Sequence, residues 1–165
     1  MQIRQAPGGR KDRRTAHGRR QIRYIVIHGA ADGRLAAGTS VHYIVSGDRI
    51  QQQVWDQETA WHCGTRGVYY HPYCRNANSI GVVLCSRVRE GRQVFLPDTV
   101  RRAQALVRML MERYGIPAEN VLRHYDVTHK TCPVPFVEHA AAWTAFCAGL
   151  AAPARAGTKA KAGSG

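Results

Sequence analysis

Two histidines and a cysteine carry the clearest chemistry in this chain. The segment Arg123-His124-Tyr125-Asp126-Val127-Thr128-His129-Lys130-Thr131-Cys132-Pro133 brings an imidazole, a cation and a thiol close together before a Pro-rich turn. Far upstream, the apolar run Tyr24-Ile25-Val26-Ile27 ends on His28. Taken singly, each of the three reads as a core residue: a hydrogen-bonded histidine or a buried thiol. Taken together, two His and one Cys are the three protein ligands of a catalytic zinc whose fourth position is left to water. A thiolate needs positive charge nearby, which Lys130 or a metal supplies. Spacing leaves both readings open: a set of satisfied core residues, or a Zn2+ site of hydrolytic type.

Positioning such a set falls to strands and helices that the pattern predicts. Tyr24–His28 is a continuous apolar run, as expected of a strand buried on both faces, and a histidine at its C-terminal end points into the crevice where α/β domains place ligands. Val41–Val45 and Ile50–Val54 flank Ser46-Gly47-Asp48-Arg49, the pattern of a hairpin. Ser79–Cys85 predicts another buried strand, and Val121–Leu122 a short one that delivers His124. A helix is expected after Pro97 with Asp98 as N-cap and Gly115 as its end, and a second from about Val137 to Leu150 that turns Trp143, Phe146 and Leu150 inward. Thr59–Tyr73, aromatic and polar without period, is expected to be a functional loop. Strands alternating with helices imply an α/β fold: a single domain, residues 21–150, with a central mixed β-sheet flanked by helices.

The net charge of +13 is uneven. Residues 1–20 carry +6 and residues 151–165 carry +3, which leaves +4 for the body. We expect 1–20 to be a basic flexible arm and 151–165 an Ala/Gly/Lys-rich disordered tail, attractive to anionic envelope polymers. No aromatic residue is interleaved with the arginines of either arm, and the body is only weakly basic, so specific nucleic-acid binding is not expected. Five scattered cysteines without a CxxC pair argue against a disulfide framework. No apolar run reaches the roughly 20 residues of a membrane span, and the basic N-terminus has no apolar segment of signal-peptide type behind it. A monomer made in the cytoplasm is the expectation.

Five motifs occur in a telling order: Tyr24-Ile25-Val26-Ile27-His28; Ser40-Val41-His42-Tyr43-Ile44-Val45; Thr59-Ala60-Trp61-His62-Cys63-Gly64; Asn78-Ser79-Ile80-Gly81-Val82; and His124-Tyr125-Asp126-Val127 through Lys130-Thr131-Cys132-Pro133. Over about residues 22–148 the chain resembles the zinc-dependent N-acetylmuramoyl-L-alanine amidases of type 2, which include phage endolysins, recycling amidases and peptidoglycan recognition proteins. The resemblance implies a zinc cleft on one side of the sheet, with His28, His124 and Cys132 as ligands. It implies peptidoglycan as partner and cleavage of the amide between N-acetylmuramic acid and L-alanine by a zinc-activated water. Lys130 matches the lysine that stabilises the oxyanion. Trp61 and His62 match a cleft-wall motif that contacts substrate, and Gly81 matches a close-packing position.

One departure stands out. Members of this family place a proton-transfer group either as Tyr just before the His of the second strand or as Glu after Asn-Ser-Ile-Gly. Those positions are Val41 and Val83 here. Tyr43, two residues along from Val41 on the same strand face, is the candidate replacement, against a plain packing role; His62, Tyr69, Tyr70 and His71 are others. His42 reads as a hydrogen-bonded support, His129 as a neighbour of Lys130, and His17 and His139 as exposed. The resemblance implies an endolysin acting on the cell wall. The alternatives are a cytoplasmic amidase of anhydro-muropeptides, or a non-catalytic wall-binding module of the same fold.

Overall fold

In the computed structural model, residues 2–5, 20–64 and 66–151 are described. Seven strands form one mixed sheet: β1 (Ile3–Gln5), β2 (Tyr24–Ala31), β3 (Tyr43–Val45), β4 (Ile50–Gln52), β5 (Ser79–Arg89), β6 (Arg92–Phe95) and β7 (Val121–Arg123). Their order is β1-β4-β3-β5-β2-β7, with β6 beside the end of β5. Pairs β2–β5, β2–β7, β3–β5 and β1–β4 are parallel; β3–β4 and β5–β6 are antiparallel hairpins. Four helices follow: α1 (Pro97–Tyr114), α2 (His124–Thr128), α3 (Val134–Glu138) and α4 (Ala140–Ala151).

Alternation along the central strands decides which side chains meet. From β2, Ile25 and Ile27 enter the larger core with Ile80, Val82 and Leu84 of β5, Leu106 and Leu110 of α1, and Phe146 of α4. Tyr24 and Val26 face the other way, into a second core with Cys63, Cys74 and Val127. His28 shares their parity, so the strand's period of two sends it to the side away from α1. Gly81 lies on that face too. A Cβ there would sit 2.6 Å from the ring of His62, so only glycine admits that imidazole against the sheet.

Several boundaries depart from expectation. The basic arm is not all arm: Ile3–Gln5 adds a parallel strand to β4, and Arg20 is buried. The rest of 1–20 and all of the 151–165 tail beyond Ala151 lie outside the described residues. Regular pairing in the second strand starts at Tyr43, and the hairpin's return ends at Gln52. β5 runs on to Arg89 and returns as β6 through Glu90 (φ 49°) and Gly91 (φ 76°), the two positive values of a tight hairpin turn. Asp98 lies inside the first turn of α1, with Leu96 as N-cap and Pro97 leading, as proline's fixed φ favours. Gly115 ends α1 in the left-handed conformation (φ 63°). The last expected helix is two, broken at His139. Phe146 and Leu150 are buried and Trp143 packs against them.

Candidate metal centre

Residues 123–133 fold back on themselves. The Asp126 carboxylate accepts from the Arg123 backbone N–H (2.8 Å) and pairs with the Arg123 guanidinium (2.7 Å), which starts α2 directly after β7. His129 ends α2 in the left-handed conformation (φ 60°), its N–H donating to Tyr125 O (2.8 Å). The chain then reverses, and Tyr125 N–H donates to Cys132 O (2.8 Å). This closed turn is why a separation of seven residues brings His124 and Cys132 to one spot.

β2 supplies the third member. His28, His124 and Cys132 are all buried, and their donor atoms lie within 4.8 Å of one another. Cys132 Sγ is 3.9 Å from His28 Nδ1, and the rings of His28 and His124 are 4.6 Å apart. Donors around a tetrahedral zinc are about 3.5 Å apart, so modest closure would suffice. The trio forms the floor of an open pocket of about 220 Å³, walled by Val41, Val83, Gly64, Arg34 and Leu35, with the exposed Lys130 at its rim.

A directed hydrogen-bond chain sets the state of His28. Ser79 Oγ donates to Arg75 O (2.7 Å), so it accepts from His62 Nε2 (3.1 Å). His62 Nδ1 is then an acceptor and takes the proton of His28 Nε2 (3.1 Å). His28 Nδ1 is left with its lone pair facing Cys132 and His124. Burial pushes both His28 and His62 far below the ordinary histidine value, with neighbouring imidazoles adding to the effect. His124 is held down to about 4 by burial and by Lys130; its ring also hydrogen-bonds the Cys63 carbonyl. Burial pushes the Cys132 thiol up, while a Gly29 backbone hydrogen bond and Lys130 act the other way. Two neutral imidazoles and a thiol with converging lone pairs have little reason to share a buried floor unless a cation joins them. The donor set fits zinc.

The remaining candidates are placed as follows. His62 touches the pocket but lies behind His28 as its hydrogen-bond partner, with little surface of its own. Trp61 exchanges hydrogen bonds with Ser40 (2.9 Å each) and does not line the pocket. Tyr43 is 1% exposed in the larger core, and its hydroxyl donates to Asp56 (2.6 Å). The expectation that Tyr43 shares a face with Val41 is corrected: Val41 precedes the regular strand, so the alternation does not reach it, and only Val41 enters the pocket. His42 is fully buried, accepting from Gly81 N–H at Nδ1 (3.0 Å), as the support reading expected. His129 stacks on Tyr70 rather than on any of the three donors.

Arg20 was missed. Its guanidinium donates to Ser79 O and Glu58 O and lies 3.0 Å from His42 Nε2, linking the segments that carry His42, Glu58 and Ser79. Its neighbours in the chain are those of a solvated basic arm, and no local signal marks it. Cys63 and Cys74 meet in the second core, where their thiols hydrogen-bond each other.

The sequence pattern of N-acetylmuramoyl-L-alanine amidases matches residues 18–135. A probable N-acetylmuramoyl-L-alanine amidase of Bacillus licheniformis is 35% identical over 119 residues, 70% of this chain and 32% of that protein. The chain thus spans about a third of that relative's length. A mutant endolysin from Bacillus subtilis superposes with a TM-score of 0.65 at 26% identity, over 90% of this chain and 98% of that one. The amidase AmiD from E. coli, in complex with the substrate anhydro-N-acetylmuramic acid-L-Ala-D-gamma-Glu-L-Lys, superposes with a TM-score of 0.51 at 28% identity, over 72% of this chain and 52% of that one.

Proposed function

The chain belongs to the N-acetylmuramoyl-L-alanine amidase family, and we propose that it hydrolyses the amide joining N-acetylmuramic acid to L-alanine in peptidoglycan, as an endolysin does. The observation that carries this is the convergence of His28, His124 and Cys132 at the floor of an open pocket with Lys130 at the rim. Those three would hold Zn2+, which when bound supplies an acidified water and a Lewis acid for the scissile carbonyl.

The rest falls to the protein's own groups. His62, fixed by Ser79, keeps His28 in the tautomer whose Nδ1 faces the site, and the Cys63 carbonyl orients His124. Lys130 offers a cation where negative charge develops on the carbonyl oxygen, a role commonly worth about 10²–10³ in rate. Val41 and Val83 present methyl groups to the pocket. Lys130 is therefore the rim group left to pass a proton to the departing nitrogen. The catalytic unit is residues 20–151 together with β1, and the remaining basic segments would add attraction to an anionic wall.

The test is digestion of purified peptidoglycan with and without a zinc chelator, scored by new L-alanine amino termini. Chelator-sensitive release is expected. The apolar side chains of Val41 and Val83 favour one second reading, a wall-binding relative without turnover. Stoichiometric bound zinc with no release would select it.

A further inference from the structure

Beside the cleft runs an aromatic ladder that the metal chemistry does not use. Tyr70 stacks on His129 with ring centroids 3.8 Å apart and planes 10° from parallel. His129 stacks in turn on Tyr125 at 5.5 Å and 29°, and the Arg123 guanidinium covers the Tyr125 ring at 5.4 Å. Tyr70 is 60% exposed, so its outer face is open to solvent, and Tyr73 on the same loop is 71% exposed. A single exposed ring is ordinary on a protein surface, but this one is held flat against a second ring.

The ladder is built, not incidental. Val127 O accepts from both Tyr70 N–H (2.8 Å) and His71 N–H (3.2 Å), which fastens the loop to α2. His129 holds its ring under Tyr70 from a left-handed backbone (φ 60°), which a residue with a side chain adopts at some cost. The ladder does not line the pocket itself, but each half adjoins a residue that does. His129 is followed directly by Lys130 at the rim, and the Tyr69 hydroxyl lies against Gly64 of the pocket wall, where a Cβ would be 2.7 Å away.

We propose that Tyr70, backed by His129, is a glycan subsite that stacks an N-acetylated sugar ring of the peptidoglycan strand beside the metal centre. The chemistry favours a sugar over other ligands. A pyranose offers one face of C–H groups, which suits an aromatic face, and an edge of hydroxyl and amide groups, which suits the polar rims of tyrosine and histidine. The scissile amide hangs from a sugar, so a saccharide must lie next to the pocket when the amide is in it. Tyr70 would touch the ligand; His129 is a positioning residue that acts through Tyr70. The proposal rests on the peptidoglycan reading of the cleft.

The test measures binding of the full chain to peptide-free glycan strands of alternating N-acetylglucosamine and N-acetylmuramic acid, by calorimetry or NMR titration. Free stem peptide serves as the second probe. Tyr70→Ala should weaken strand binding about tenfold, the order of a lost aromatic contact, and Tyr70→Phe should retain it. His129→Gly removes the backing ring while relaxing the positive φ, so strand binding should fall with the unfolding midpoint unchanged or raised. Stem-peptide binding should move with neither. Strand binding that is absent in the parent protein, or unchanged in both Tyr70→Ala and His129→Gly, overturns the subsite. Strand binding sensitive to both substitutions in a protein that releases no L-alanine termini would keep the subsite and remove the amidase.

Discussion

Two buried polar clusters lie on opposite faces of one sheet, and they are wired differently. Under α1, Asp56 accepts from the Tyr43 hydroxyl (2.6 Å) and the Gln52 amide (3.0 Å) at one oxygen, and from the Tyr114 hydroxyl (2.6 Å) and Arg113 (3.3 Å) at the other. All its acceptor capacity is met, and burial and the Asp56 carboxylate drive the Tyr43 hydroxyl well above its usual range. On the far face, the chain Arg75–Ser79–His62–His28 ends on a lone pair aimed at Cys132 and His124. A closed network stabilises the fold. An open one, whose acceptors converge, is a group that could hold a cation.

The comparison breaks first at the open cluster. Cys132→Ser should abolish zinc binding and turnover together, measured by metal analysis and L-alanine release, whereas Asp56→Asn should keep the metal and lower stability by about 2–4 kcal/mol. Stoichiometric metal in Cys132→Ser would remove that ligand from the set. Lys130→Ala should retain metal and unfolding midpoint but lose about 10²–10³ in kcat. A near-parental rate would refute the assignment at the rim.

Acid should reveal the cost of the buried histidines. His42 is held at about 4 by burial and by Arg20, so the unfolded chain takes up a proton near pH 6.5 that the folded chain refuses. Stability is therefore full above about pH 6.5 and declines as pH falls towards 4, by roughly 3 kcal/mol from His42 alone. Unfolding free energies measured across that range should show the acid limb, and His42→Gln should make it shallower, with His28, His62 and His124 carrying what is left.

Smaller effects sharpen the contrast. His62→Ala removes the acceptor of His28 Nε2 and should weaken zinc binding about 10–100-fold. Gly81→Ala, whose Cβ would displace the His62 ring, should do the same; if competition with a chelator shows no change in either, His62 has no hold on His28. Tyr43→Phe should cost about 1 kcal/mol through the lost hydrogen bond and leave kcat within twofold. A loss of 10² or more would return Tyr43 to the proton-transfer role that its place in the core argues against.

The sequence by itself determined the central strands and the first long helix, and it singled out His28, His124 and Cys132, though not β1 or β6. Apolar runs such as Tyr24–Ile27 and Ser79–Cys85 report burial on both faces directly, and the period of α1 is read from Val100, Ala103, Leu106, Val107 and Leu110. The order of five motifs placed His28, His124 and Cys132 within one family's pattern, because metal chemistry constrains residue type tightly. Tertiary structure alone decided how those residues are supported. Arg20 looked like part of a solvated arm because its partners lie 22 to 59 positions away in sequence. Whether Tyr43 followed Val41 into the cleft depended on where regular pairing begins, which neighbouring strands settle and local composition does not. His62 became the partner of His28 because Gly81, on a different strand, leaves room for its ring. Periodicity and residue type are local properties, but hydrogen-bond direction and the space a side chain may occupy are set by elements that meet only in the folded chain.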